Sequence, residues 1–512
     1  LNAIQVGSSG SNAMRITHGS VTNQDTGIQR VEFNNELITN VLIAENEEFH
    51  IFEDGISLNQ SFSLLPDSQE VKAGSVEYTS FNPNIATVGK YTGIVTPVKG
   101  IYGTAIIIAK SDGYSSIIRV SIKPQDTDDV KSVAKPMVAT GASHTIALKY
   151  DGTVWTWGNN TNGQLGNNST ENSSNPVQVK SADGNGYLTN IIEISAGSDH
   201  NMALSKDGTV FTWGSNAYGQ LGNGSSVNSM LPVQVKSADG NSFLADIVQI
   251  SAGYVHSMAL KKDGTVLAWG RNDGGQLGNS NTKNQLLPVQ VKGGASGSEY
   301  LTDVVQVTAG NWHSMALKAN GTVYAWGWGQ YGQLGNGYTT NRDDTDYYSY
   351  EKIYSAPVQV LNGAQTSETG YLKEVVQIDA MGGTGRGEKN RFGTSLAVTE
   401  SKEVYGWGNS LYGALGVKSS IVSKPVRVGT DISNAVQVAG GGKSGSDDWH
   451  VNNIGNTGYT YILKEDGTVS SLGYNVNGEL GNGAQTSTIN VQEVSNLSLI
   501  HISEPTRRSY IS

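Results

Sequence analysis

Four histidines, His144, His200, His256 and His313, occupy the same position in successive copies of one repeated stretch. Imidazoles at regular spacing suggest metal ligation first. A metal's ligands lie about 2 Å from the ion, whereas one residue per repeat unit sets successive rings much farther apart. Packing or turn hydrogen bonding is the expected role, and neither a metal nor another cofactor is expected. The aspartates Asp151, Asp207, Asp263 and Asp466 each precede a glycine, the pairing that closes two-residue hairpins because glycine accepts positive φ. Gly-Gln-Leu-Gly runs beginning at Gly163, Gly219, Gly275 and Gly332 lack the helix start and lysine of a phosphate-cradling loop. No paired carboxylates, no Ser-His-Asp order and no His-Glu-x-x-His run stand out. No catalytic residue is expected, and the chain reads as non-enzymatic.

The residues with binding chemistry are those that interrupt the repeat. One insertion, Tyr338 to Ser355, carries Arg342, Tyr347, Tyr348, Tyr350 and Tyr354. A second, Gly383 to Phe392, carries Arg386, Arg391 and Phe392, and a third, Gly441 to Gly458, carries Asp447, Asp448, Trp449 and His450. Tyr, Trp and Arg dominate binding hot spots, and loops on a stiff scaffold are the usual place for recognition. The alternative is a set of Gly-rich decorations, since loop extension is thermodynamically cheap.

What must position them is the repeat itself. Gly197 to Val235 recurs as Gly141 to Val179, Gly253 to Val291 and Gly310 to Val360, with looser copies at Met381 to Val428 and Gly440 to Val494. Trp-Gly pairs at Trp157, Trp213, Trp269, Trp326 and Trp407, closed by Leu472-Gly473, are spaced by 56, 56, 57, 81 and 65 residues. Such a period marks stacked supersecondary units. In the second unit, strands are predicted at Ile191 to Ala196, Asn201 to Ser205, Thr209 to Trp213 and Pro232 to Val235. Only the fifth unit, with Ser401-Lys402-Glu403, lacks the glycine turn between its middle strands. Strand periodicity puts Phe211 and Trp213 on one face and Val210 and Thr212 on the other. Bulky against small lets neighbouring sheets nest, the arrangement of a β-propeller of four-stranded blades. In an up-and-down sheet, the loops joining strands one to two and three to four leave the same end. The three insertions are therefore expected to share one rim.

Gly197 to Gly222, and again Gly253 to Gly278, follow almost unbroken the pattern G-x-x-H-S-x-A-L-x-x-D-G-x-V-W-x-W-G-x-N-x-x-G-Q-L-G. This text resembles the repeats of the regulator-of-chromosome-condensation family in its bacterial form. The resemblance covers residues 132–496 and implies an all-β, seven-bladed propeller, of which six full units stand here. Residues 1–27 are expected to be a truncated repeat or a β-rich leader, since Ala3-Ile4-Gln5-Val6 matches Ile247-Val248-Gln249-Ile250. On that reading the chain is a fragment of a longer array, and closure by six units stays open.

Residues 28–124 abandon the period for short alternating runs separated by turns, the pattern of a β-sandwich. Tyr78 to Ala109, with its S-F-N-P-N-I-A-T-V and G-I-V-T texts, resembles the bacterial group 2 immunoglobulin-like domain. Phe81 departs from that family, which usually has a small polar residue there. Residues 125–131 read as a linker, and 497–512 as a tail outside the repeat.

A net charge of -11 over 512 residues opposes binding to a phosphate backbone. There is no cysteine, no apolar run of membrane-spanning length and no sign of a secretory leader. The expected function is a non-enzymatic extracellular or cell-surface binding platform for protein or cell-surface glycan, without nucleic acid or direct membrane insertion. The immunoglobulin-like domain, which implies surface adhesins, would act as its spacer. The competing readings are a secreted propeller inhibitor of an enzyme, a guanine-nucleotide exchange or chromatin factor like the family's founding eukaryotic members, and a carbohydrate-active enzyme. Acidic charge opposes the second, and the third lacks an acid/base pair.

Overall fold

The computed structural model describes residues 13–16, 29–36, 40–44, 49–51, 77–98, 103–111, 114–123, 134, 136–294, 299–339, 353–363, 370–382, 393–443 and 457–498. Among them the regular structure is β-strand, with one short 3₁₀ turn at Leu411–Gly413. Six four-stranded sheets succeed one another along the chain, each ordered as in the sequence. Blade 2 consists of Ile191–Ala196, His200–Ser205, Val210–Gly214 and Ser229–Gln234. Its inner strand coincides with the predicted one. Its outer strand starts earlier than expected, at Ser229, and includes Pro232. A missing amide hydrogen is tolerated there because the strand is a sheet edge.

The inner strands of the six blades are Met137–Thr140, Ile191–Ala196, Ile247–Ala252, Val304–Ala309, Val375–Gly382 and Ala435–Lys443. From blade 2 onward, side chains at two positions stitch each to the next. Gln249 accepts the Val307 N–H at 2.9 Å and donates to its carbonyl, and Gln306 does the same to Ile378. Gln377 repeats the clamp on Val438. Two residues further along, Ser195, Ser251, Thr308 and Asp379 accept the N–H of Ala252, Ala309, Ala380 and Gly440 respectively. Polar groups buried this way cost little because each is paired.

The nesting of bulky on small is observed. Trp213, Trp269, Trp326 and Trp407 are fully buried, and each donates its indole N–H to a glutamine carbonyl of the preceding blade at 2.9–3.0 Å. On the slim face Thr156, Thr212 and Ser471 donate to Leu165, Leu221 and Leu480 at 2.7 Å, so the small residue also anchors the turn beside it. At one seam the pattern stops. Trp157 of blade 1 is half-buried, and among the described residues no comparable packing joins blade 6 back to blade 1. The last carbonyl of the series, at Glu479, takes the Tyr461 hydroxyl of its own blade instead.

Before the propeller, two further sheets are formed. One is ordered β1 (Ala13–Ile16), β2 (Gln29–Glu36), β4 (Phe49–Ile51), β7 (Ile94–Pro97), β6 (Ala86–Val88), and the other β3 (Asn40–Ala44), β9 (Tyr114–Lys123), β8 (Gly103–Ser111), β5 (Glu77–Ser80). β1 pairs with β2 rather than with any blade. The rest of residues 1–27, the linker 125–131 and the tail from 499 onward lie outside the described residues. β8 and β9 are covered on both faces. Ala105, Ile107, Ile118 and Val120 are buried on one side, and Ile106, Ile108 and Ile117 on the other. The unbroken run Ala105 to Ala109 is the mark of a strand covered on both faces.

Candidate interaction rim

In blades 1, 2, 3 and 6 the third strand leads into a turn that a buried asparagine holds rigid. In blade 2, Asn216 accepts the Leu221 N–H at 2.9 Å and donates to the carbonyls of Ser225 and Val227 at 2.9 and 3.0 Å. Asn160, Asn272 and Asn475 do the same in blades 1, 3 and 6. These turns lie at the end of the sheet where strands one and two are also joined, so one rim has a stiff floor.

The histidines brace this floor. His200 meets the Ser257 hydroxyl of the next blade at 3.0 Å, and Ser257 in turn donates to the Gln220 carbonyl at 2.8 Å. A hydroxyl has one hydrogen, so Ser257 must accept from His200, which fixes the Nε2–H tautomer. His256 with Ser314 and His313 with Ser395 repeat the relay, and His144 uses Asn201. Each Nδ1 is buried without a partner. Burial holds His200, His256 and His313 down to about 3, and pushes His144 down as well, so the rings are neutral braces. No group of three or more metal-ligating side chains occurs among the described residues.

Beside the fixed asparagine stand two positions that vary from blade to blade. The first, after Trp-Gly, is Arg271, Trp328 and Tyr474 in blades 3, 4 and 6; the second, before the Gly-Gln-Leu-Gly glycine, is Tyr218, Tyr331 and Tyr412 in blades 2, 4 and 5. Arg271 lies 4.6 Å from the Tyr218 ring and 4.4 Å from the Trp312 ring, so one guanidinium bridges three blades. Its Nε and Nη2 donate to the Asp273 carboxylate at 2.9 and 2.7 Å. Tyr254 stacks on Trp312 at 6.4 Å, and Tyr412 meets Tyr474 edge-on at 5.1 Å. Planar faces and fixed donors of this kind are recognition chemistry.

Of the residues singled out in the insertions, Arg342, Tyr347, Tyr348, Tyr350, Arg386, Arg391, Phe392, Asp447, Asp448, Trp449 and His450 lie outside the described residues. Tyr354 is described, and its place is a correction. It belongs to the outer strand Ile353–Gln359, opposite Gly327, and packs against the core. The strand begins inside the stretch read as loop because the Ile-Tyr-Ser-Ala alternation continues the sheet. The bases of the three insertions are the pairs Trp328–Ile353, Gly382–Gly393 and Lys443–Thr457, all at the rim of Tyr218 and Tyr412. Sequence reasoning missed Arg271 and Trp312. Their signal was departure from the repeat, with Arg where blades 1, 2 and 5 have Asn159, Ser215 and Asn409 after Trp-Gly.

The profile of the RCC1-like domain matches residues 113–507. The chain is 29% identical over 373 residues to the ultraviolet-B receptor UVR8 of Arabidopsis thaliana, covering 68% of this chain and 78% of that protein. It is 30% identical over 294 residues to the human E3 ubiquitin-protein ligase HERC2, covering 57% of this chain but 5% of the ligase. Among solved structures, Prp20p of Saccharomyces cerevisiae is similar with a TM-score of 0.51 at 20% identity, over 70% of this chain and 76% of that one. Human WBSCR16 is similar with a TM-score of 0.53 at 21% identity, over 74% and 85%. At these identities the structures speak for fold alone. Matched over more than half its length, with blades 1 to 5 joined by the same tryptophan and histidine contacts, the chain belongs to the RCC1-like domain family.

Proposed function

We propose that this chain is a non-catalytic platform whose insertion-bearing rim takes a protein partner. The observation that carries the reading is Arg271 clamped between Tyr218 and Trp312 over a rigid floor. Aromatic and arginine side chains held in one geometry lose little entropy on binding, which is why they dominate hot spots. Prp20p, whose structure was described with its binding to Gsp1p and histones, supports a protein as the ligand class. The acidic balance of the chain favours a partner with a basic surface. An extracellular or cell-surface location, a bacterial source and an immunoglobulin-like fold for residues 28–124 belong to the same proposal and rest on the Tyr78 to Ala109 text.

The test immobilises the full chain beside variants with each insertion shortened, and probes them with proteins and with cell-surface glycans. The reading expects a protein retained by the wild type and lost on shortening. Retention of glycan alone, or binding indifferent to all three insertions, would sink it.

A further inference from the structure

The opposite rim, formed by the turns between the second and third strands, is in contact with the N-terminal sheets. β8 and β9 turn Ile106, Ile108 and Ile117 outward, and with Phe81 these join one apolar cluster with Val305, Ala319 and Val376 of blades 4 and 5. The Ile117 N–H donates to the Ala319 carbonyl at 2.9 Å. Lys110 of β8 pairs with Glu400 in the blade 5 turn. The Lys402 ammonium of that turn lies 5.4 Å from the Phe81 ring centroid.

These contacts use the residues that depart from both sequence patterns. Phe81 replaces a small polar residue of the N-terminal motif. Lys402 replaces the turn glycine of the other blades while keeping its backbone, at φ 63 against 84 for Gly208. A side chain at positive φ is strained, and what Lys402 gains there is contact outside its own blade, with Phe81 of the N-terminal sheets and with Glu465 of the blade 6 turn. A third departure is Glu193, which stands where blades 3 to 6 carry Gln249, Gln306, Gln377 and Gln437. It still accepts the Ile250 N–H, and the charged group acting on it is Arg119 of β9. The Arg119 Nη1 is buried with no hydrogen-bond partner on the β9 face that carries Ile117, and burial pushes the Glu193 carboxyl up to about 8 against the pull of that guanidinium. Three irregularities of the propeller and its N-terminal neighbour therefore answer one another.

We propose that the turn rim of the propeller is a docking surface built for this chain's own N-terminal β-unit, seated by Phe81 on Lys402 and by Arg119 facing Glu193. The unit is then a fixed cap that closes this rim to other macromolecules, rather than a loose spacer. The claim stands apart from what the insertion rim binds, since neither set of residues overlaps the other.

Two substitutions separate docking from folding. Lys402→Gly restores the turn glycine, and Glu193→Gln restores the inter-blade clamp, so each brings its blade closer to its neighbours. In the full chain, the thermal stability of the blades should hold or rise with Glu193→Gln, and should hold with Lys402→Gly, where relief of the positive φ offsets loss of the part-exposed pair with Glu465. Amide hydrogen exchange in 103–123 and at Ala319 should at the same time quicken by about tenfold, as expected when a buried charge or ring loses its partner. The double exchange Arg119→Glu with Glu193→Arg should return protection to near the wild-type level. Unchanged exchange in 103–123 in both variants, acceleration spread equally over all six blades, or no rescue by the charge exchange would each overturn the proposal.

Discussion

Trp213 of blade 2 donates its indole N–H to the main-chain oxygen of Gln164 in blade 1 at 3.0 Å. That oxygen also receives the Asn201 side chain at 2.7 Å. One carbonyl thus receives both the bulky third strand and the histidine relay of the next blade, and the rim turn carrying Gln164 is fixed by its neighbour as much as by its own sheet.

The tryptophans should therefore differ in worth. Trp269→Ala removes a fully buried ring and its bond to Gln220, and should cost about 3–5 kcal/mol in urea unfolding. Trp157→Ala, at the seam where no described strand of another blade nests on the ring, should cost about 1 kcal/mol. Equal losses would contradict the nesting account.

Buried neutral histidines make stability fall with acid. Their folded values lie near 3, below the ordinary value of about 6.5. The stability they permit is intact above that ordinary value and is lost as pH falls from there toward 3, by about 1.4 kcal/mol per unit for each ring. His256→Gln should flatten the acid limb of unfolding free energy against pH by that one-ring amount. Parallel acid limbs for variant and wild type would count against burial of a neutral ring.

Asp379 has the opposite sign. Burial raises its carboxyl to about 6 although it accepts the Gly440 N–H at 2.8 Å. A raised folded value means stability present in acid and lost as pH rises through 6. Asp379→Asn keeps the acceptor and removes the buried charge, so at about pH 7.5 it should gain on the order of 2 kcal/mol, vanishing near pH 4. A loss at neutral pH would show that the charge itself is needed.

Arg271→Ala should uncover Trp312 and release Asp273, weakening partner binding by tenfold or more, since hot-spot truncations of this kind cost about 2 kcal/mol. Arg271→Lys should recover little, because an ammonium cannot reproduce a planar fork sandwiched between rings. Calorimetric titration of both variants with the captured partner checks this, and full recovery by lysine would argue for simple charge.

The architecture was legible because period-2 alternation around Trp213 and the Asp-Gly turns are local signals, and blade 2's inner strand fell where alternation placed it. The inter-blade clamps were not, because Gln249 and Gln306 look like any exposed glutamine until the next strand is set beside them. The histidines read from sequence as packing or turn hydrogen-bonding groups, whereas their partners Ser257 and Ser314 belong to the next blade, 57 and 58 residues away. The two covered faces of β8 were written in its unbroken apolar run, which alternation-based reading passed over. Of the residues chosen in the insertions, only Tyr354 falls among those described, and it is a strand residue. Arg271 and Trp312 went unread because a departure inside a repeat looks like noise until geometry brings two departures together.

The most direct measurement places a photo-crosslinking residue at Tyr412 on the insertion rim, 37% exposed, and separately at Tyr150 on the turn rim, 49% exposed. After illumination with the retained partner, a discrete protein adduct should form from position 412 and not from 150. Adducts from 150 alone, or equally from both, would contradict the assignment of binding to the insertion rim.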